Sequence, residues 1–153
     1  MRINPPKLFL IAIAAIMAVD VIVTPGHVRL ALAPLVRVTL AVAGVGISVT
    51  AKRQFQRIGA NIDTFEEPDE LMTEGLFSIS RNPMYLGLVL AAFGAALLSA
   101  TPPALVLSAV FALIVRYWYI AFEENAMQWR FGEPYQSCCR KVDRWFGRRR
   151  GKV

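Results

Sequence analysis

Ionisable and hydrogen-bonding side chains are scarce in the apolar stretches of this chain, and the few present fall at spacings suited to a charged ligand. In the run Arg81-Asn82-Pro83-Met84-Tyr85, asparagine followed by proline matches a helix start, because asparagine is favoured at the cap and proline at the first helical position. A helix beginning there presents free backbone N–H groups and the positive end of its dipole, which suit an anion such as a carboxylate. Arg81 adds a formal positive charge and Tyr85 lies one turn inside. The plainer reading of the same residues is a capped helix with an interfacial tyrosine and an arginine reaching for the polar boundary.

A second group lies further along. Arg116, Tyr119, Glu123 and Arg130 are spaced three, four and seven residues apart, which puts all four on one stripe of a regular helix. Arg116 falls inside an apolar block, where an ionisable group is costly and turns toward a cavity or a partner. Glu123 and Glu124 close that block. A carboxylate facing a helix N-terminus across a hairpin could hold a zwitterion, such as an amino acid end or a cofactor carrying one. The alternative is an Arg116 paired with protein and two acids that mark the membrane exit. Asp20 and Arg37, each isolated in an apolar run, are expected to pair with one another.

The elements that must position these residues follow from hydropathy. The chain has 153 residues, 56% of them hydrophobic, and a mean hydropathy of +0.46, more apolar than a soluble domain of this size. It reads as one domain, 1–153, with apolar blocks at about 8–23, 28–51, 85–100 and 103–122. A span takes roughly 20 apolar residues, so the shorter first and third blocks need polar flanks. The expected fold is all-α: an integral membrane protein of four transmembrane helices, with a cytoplasmic loop 52–84 and a cytoplasmic C-terminal helical cap 123–153. Thr101-Pro102-Pro103 cannot stay helical and makes the last two spans a tight hairpin. Gly87, Ala91 and Ala95 form a small-residue face that lets helices approach closely. In the cap, Gly132 is expected to end a first helix before a second, short one, with Trp129, Tyr135 and Trp145 among cations as interfacial anchors.

Lys and Arg gather before the first block, between the second and third, and after the fourth. By the positive-inside rule a multi-pass protein with both termini cytoplasmic follows. The net charge of +6 suits an anionic leaflet; the lipid bilayer is the expected partner and nucleic acid is not. Adjacent Cys138 and Cys139 point to neither a structural disulfide nor a metal site, and no metal is expected. The lone His27 reads as an interfacial residue. The segment 52–82 opens basic and turns acidic, yet Ile62, Phe65, Leu71, Met72, Leu76, Phe77 and Ile79 recur among its acids. It is either a solvated loop or one folded against another part of the chain.

Taken in order, "LMTEGLFSISRNPMYLG", a two-helix hairpin, "EE", "FGEPY" and "VDRW" resemble the isoprenylcysteine carboxyl methyltransferases and their relatives, the phospholipid methyltransferases. The resemblance runs from Asp69 to Trp145. It implies an integral membrane methyltransferase that uses S-adenosylmethionine in a cytoplasmic pocket capped by the C-terminal segment, with a lipophilic or lipid-like acceptor. By position, the implied cofactor contacts are Asp69, Glu70, Leu71, Met72, Phe77, Asn82, Pro83, Met84, Tyr85 and Glu123. The helix start at Asn82 and Pro83 would take the methionine carboxylate, Glu123 the ammonium or a ribose hydroxyl, and Leu71, Met72 and Phe77 the adenine. For an acceptor that must lose a proton, Tyr85, Tyr119 and Glu124 are the candidate catalytic groups.

The chain also departs from that family's pattern. Asn82 stands where histidine is usual, Phe77 and Cys138 where tyrosine is, and Asp143 where proline is. Tyr119 occupies the place of an arginine that binds the substrate carboxylate in the prenylcysteine enzymes; Arg116, one turn away, is the candidate substitute. Two other readings remain at this stage. A sterol-reductase-like enzyme using NADPH shares an Arg-x-x-x-Tyr-x-Gly element, though Leu88 follows Gly87 where such enzymes place an acid. A non-catalytic four-helix transporter-type protein would use Asp20, Arg37 and Arg116 as a polar pathway.

Overall fold

The structure, a computed structural model, describes residues 4–22, 34–57 and 71–147, apart from the side chain of Asp20. The expected pairing of Asp20 with Arg37, the interfacial place of His27, and the candidates Asp69 and Glu70 therefore lie outside the described residues. Within them the protein is all-helical, with no strand beyond an isolated bridge at Val142. Helix α1 is Pro5–Ile22, α2 is Pro34–Arg57 and α3 is Pro83–Ser99. Helix α4 runs without a break from Pro102 to Phe131, and α5 is Glu133–Lys141. A single 3₁₀ turn, Gly75–Ser78, precedes α3.

Proline starts four of the five helices, at Pro5, Pro34, Pro83 and Pro102, where its missing N–H is one of the unpaired donors in any case. Between α3 and α4, Ala100 takes a left-handed conformation, φ 54°, and Thr101 is extended, so the chain reverses within two residues. Gly132, also at positive φ, ends α4 and opens α5. The second helix runs past the end of its apolar block. Lys52, Arg53 and Arg57 continue it to Arg57, because charged side chains favour helix as well as most apolar ones do.

Helices α2 and α4 are long and apolar enough to cross a membrane, whereas Pro5–Val19 and Pro83–Ser99 are shorter apolar helices. At about 1.5 Å per residue the 30 residues of α4 reach roughly 45 Å, past a hydrocarbon core of about 30 Å. Its last turns thus extend into the polar region. Large apolar side chains are exposed along four helices, among them Val21, Leu35, Val42, Phe93, Val106, Leu113 and Trp118, which is more apolar surface than a protein in water leaves open.

Helix α3 is the centre of the bundle, packed by α2, α4 and α1. Its contact with α2 is backbone on backbone. A Cβ at Gly44 would stand 2.4 Å from the Ala91 nitrogen and 2.6 Å from the Gly87 oxygen, and one at Gly94 would stand 2.4 Å from the Ala41 nitrogen. Gly87 lies opposite Gly44 and Ser48, so residue numbers rise along one helix as they fall along the other and the pair is antiparallel. The small-residue face is therefore Gly87, Ala91 and Gly94, and its partner is α2. On the other side of α3, Phe9 meets Phe111 with ring centroids 6.0 Å apart, and Ile16 meets Ala104, which makes α1 antiparallel to α4. The start of α1, the end of α2, the start of α3 and the exit of α4 consequently share one end of the bundle.

Candidate functional site

A cavity of about 280 Å³ opens at that shared end. Every packed element contributes to its wall: Pro5 and Pro6 of α1, Ser48, Val49, Lys52 and Phe55 of α2, and Leu71, Met72 and Phe77 of the segment before α3. Arg81 to Tyr85 and Leu88 come from the start of α3, Glu123, Glu124, Ala126 and Met127 from α4, and Tyr135 and Cys138 from α5.

Residues 71–82, the described part of the segment before α3, are folded against α2, while Ile62 and Phe65 lie outside the described residues. Gly75 at φ 59° brings the turn so close to α2 that an added Cβ would meet the Gln54 side chain at 2.5 Å. The Leu76 N–H donates to Gln54 Oε1 at 3.1 Å, and buried Phe77 packs on Phe55 with ring centroids 5.3 Å apart. Leu71, Met72 and Phe77 are thereby turned into the cavity as an apolar wall.

Asn82 stands at the cap position of α3, but its side chain makes no capping bond. Its Nδ2 donates instead to the Arg144 carbonyl at 3.2 Å, while its backbone carbonyl accepts the first helical bond, from Leu86, at 3.0 Å. The first turn of α3 faces the cavity with the positive end of its dipole unscreened by a capping side chain. Across from it, the Tyr85 hydroxyl donates to Glu123 Oε1 at 2.6 Å. Beside them Glu124 is gripped by two guanidiniums. Arg81 Nη2 lies 3.2 Å from its Oε1, Arg144 Nε donates to that same oxygen at 3.1 Å, and Arg144 Nη2 pairs with Oε2. Arg81 Nη1 also donates to the Tyr135 hydroxyl at 3.4 Å and to Cys139 Sγ. Arg81 Nε is buried with no partner.

Of the residues the sequence singled out, Leu71, Met72, Phe77, Asn82, Pro83, Met84, Tyr85, Glu123 and Glu124 meet in this wall. Arg116 and Tyr119 do not. Val115–Ile120 is π-helical, a wider turn that breaks the 3.6-residue period, so the spacing 116-119-123-130 no longer describes one stripe. Tyr119 is buried behind the wall, its ring centroid 6.3 Å from that of Tyr85. The Arg116 guanidinium lies over the Tyr117 ring, 5.5 Å from its centroid, and Arg130 is exposed. Sequence reasoning passed over Lys52, Phe55, Met127, Tyr135 and Arg144. Tyr135, in "FGEPY", and Arg144, in "VDRW", carry a signal, but the first reads as an interfacial anchor and the second as one of the cations that set topology.

Burial raises the Tyr135 hydroxyl above the usual phenol range; the Glu124 and Cys139 charges add to this and Arg81 opposes it. Burial likewise raises the Cys138 thiol, with Cys139 adding and Arg81 and Lys141 opposing. Both neutral forms are favoured by the fold. The stability they contribute is therefore complete below the unfolded values, about 8.5 for a thiol and about 10 for a phenol, and is lost as pH rises through the raised folded values. Thermal midpoints in detergent should be level between about pH 7 and 8 and fall above about pH 9, and Cys138→Ala should flatten the first part of that fall. A wild-type midpoint that rises above pH 9 would contradict this sign.

No curated protein and no solved structure matches the chain significantly. A match to the phospholipid methyltransferase family spans residues 32–134. It takes in α2, which by sequence had offered only general hydrophobicity, together with α3, α4 and most of the cavity wall. With more than half of its length matched, the chain belongs to the phospholipid methyltransferase family.

Proposed function

We propose that the protein transfers a methyl group from S-adenosylmethionine to a lipophilic, lipid-like acceptor at the cytoplasmic face of a membrane. The observation that carries this reading is the opposition of charges across one cavity. The dipole of α3 lies on one side and Glu123, oriented by Tyr85, on the other, and Leu71, Met72 and Phe77 line the same cavity. A zwitterion attached to a flat base needs that combination. The α3 start would hold the carboxylate. Glu123 would hold the ammonium or a ribose hydroxyl, and the apolar wall the adenine. The bound group supplies an electrophilic methyl on a sulfonium, displaced in line by the acceptor.

The residues then align the two reactants and exclude water. Tyr85 and Glu123 form the hydroxyl–carboxylate pair nearest an acceptor that has to lose a proton; Glu124 is already engaged by two guanidiniums. The cofactor reaches the cavity from the cytosol. The acceptor reaches it from the bilayer, between α1 and α2, which each pack on α3 and flank Leu88. Four spans place both termini and the segment between α2 and α3 on the cytoplasmic side. The antiparallel order of the helices and the cluster of cations at the cavity end support this topology.

The test is a thermal shift in detergent with S-adenosylhomocysteine, NADPH or neither. S-adenosylhomocysteine at about 100 times its Kd should stabilise the protein by about 2.7 kcal/mol, and NADPH should not. Stabilisation by NADPH alone would overturn the assignment. Incubation with a labelled methyl donor, followed by lipid extraction, should then carry label into the organic phase.

A further inference from the structure

We propose that Arg144 is a positioning residue that latches the C-terminal strap to the cavity wall and controls how fast a bound ligand leaves. The inference rests on reading the cavity as a cofactor site, and it concerns a residue ten positions beyond the end of the family match.

The strap is residues 142–147. It closes on itself through the Asp143 N–H, which donates to the Gly147 carbonyl at 2.9 Å, and it is tied along its length to the residues that begin α3. The Arg81 N–H donates to the Asp143 carbonyl at 3.1 Å, the Gly147 N–H to the Ile79 carbonyl at 2.9 Å, and Asn82 Nδ2 to the Arg144 carbonyl. Trp145 packs onto the core cluster that contains Tyr85. These bonds set the backbone of the strap against the residues leading into α3, while toward α4 the strap is held by Trp145, packed on the cluster that contains Phe111, Val115 and Tyr119, and by the Arg144 side chain.

The Arg144 side chain makes a two-point contact with both oxygens of Glu124, the geometry in which a guanidinium–carboxylate pair is strongest and most directional. The Arg144 and Glu124 side chains are 32% and 14% exposed, so the contact is better sheltered than an ordinary surface pair. The exposed pair Arg140–Glu133, at 62% and 70%, supplies that comparison within the same C-terminal unit. Arg144 thus fixes the rotamer of Glu124, Glu124 fixes Arg81, and Arg81 in turn reaches Tyr135 of α5. Three separate pieces of the cavity wall are held through one guanidinium. Freed from it, Glu124, Arg81 and Tyr135 lose their common anchor, and the part of the wall they form loosens beside α5.

Two readouts test this on the full-length protein in detergent. The first is the dissociation rate of radiolabelled S-adenosylhomocysteine in a chase experiment. The second is the rate at which N-ethylmaleimide alkylates Cys138, a buried wall residue, in ligand-free protein. Arg144→Gln should raise both rates roughly tenfold or more with little change in the association rate, as interface changes usually act on dissociation. Arg144→Lys should restore part of the loss. Glu124→Gln should match Arg144→Gln, and the double variant should be no worse than either, because both break the same contact. Arg140→Gln should stay within about twofold of wild type, as an exposed pair does. Should Arg144→Gln fail to fold, the milder Arg144→Lys decides on the same two rates. Rates within twofold of wild type for the Arg144 and Glu124 variants, or additive effects in the double, would overturn the proposal. If wild-type protein binds no S-adenosylhomocysteine, the cofactor reading fails while the alkylation rates still decide whether Arg144 latches the strap.

Discussion

Gly44→Ala is expected to separate α2 from α3 and to lower stability by about 3 kcal/mol, toward the upper end of what overpacking costs. Two residues along the same helix, Gly46→Ala is expected to be neutral or to stabilise by up to about 1 kcal/mol, the gain in helix propensity. The two glycines differ in what lies opposite. A Cβ at Gly44 would meet the Ala91 nitrogen at 2.4 Å and its Cα at 2.9 Å, whereas one at Gly46 would meet nothing within 4 Å. Side chains can rotate away from an intruding methyl; backbone atoms of a helix can move only if the whole helix moves. Because α2 contributes Ser48, Val49, Lys52 and Phe55 to the cavity wall, a displaced α2 also widens the site, and ligand-induced stabilisation should shrink with the midpoint. Equal midpoints for the two alanine variants would show that the helices are not in backbone contact.

The same contact shows what was legible in the sequence. Gly87 and Ala91 stand out from sequence alone, since residues four apart share a helix face. The third member is Gly94 and not Ala95, because a face drifts between spacings of three and four along a real helix, and the partner helix has no local signature at all. The start of α3 is readable at Asn82–Pro83 and the end of α4 at Gly132, whereas Pro102 and Pro103, expected to stay out of the helix, form the first turn of α4, where proline is tolerated. The folding of residues 71–81 onto α2 depends on Gln54, more than twenty residues away in sequence, and composition left it open.

The site divides in the same way. The residues of the α3 start are neighbours in sequence, so their meeting in the wall needs only a helix. The stripe Arg116–Tyr119–Glu123 assumed a regular period, and six π-helical residues change the angle at which each successive side chain leaves the axis. Nothing in "VRYWYI" announces a wide turn. The role of Arg144 is hidden from the sequence for another reason. Its role comes from a carboxylate twenty positions back and an asparagine sixty-two back, a distance only the folded chain closes.

Glu123→Gln is expected to weaken S-adenosylhomocysteine binding by roughly ten- to a hundredfold, the worth of a hydrogen bond to a charged group, about 1.5–3 kcal/mol, while leaving the helical bundle intact. The isosteric change keeps the volume and removes the charge that would face the ligand's ammonium or ribose. Tyr85→Phe should act in the same direction and by less, about tenfold or under, because the phenol acts through the carboxylate: its hydroxyl holds Glu123 Oε1 at 2.6 Å and so selects one rotamer. If that is its role, the double variant should lose little more than Glu123→Gln alone, a coupling that independent contacts would not show. Isothermal titration on the purified single and double variants measures each term, with thermal midpoints confirming that the bundle survives. Unchanged affinity in both single variants would move the ligand's polar end away from α4. The charge opposition between the α3 start and Glu123 would then have to serve the protein's own packing.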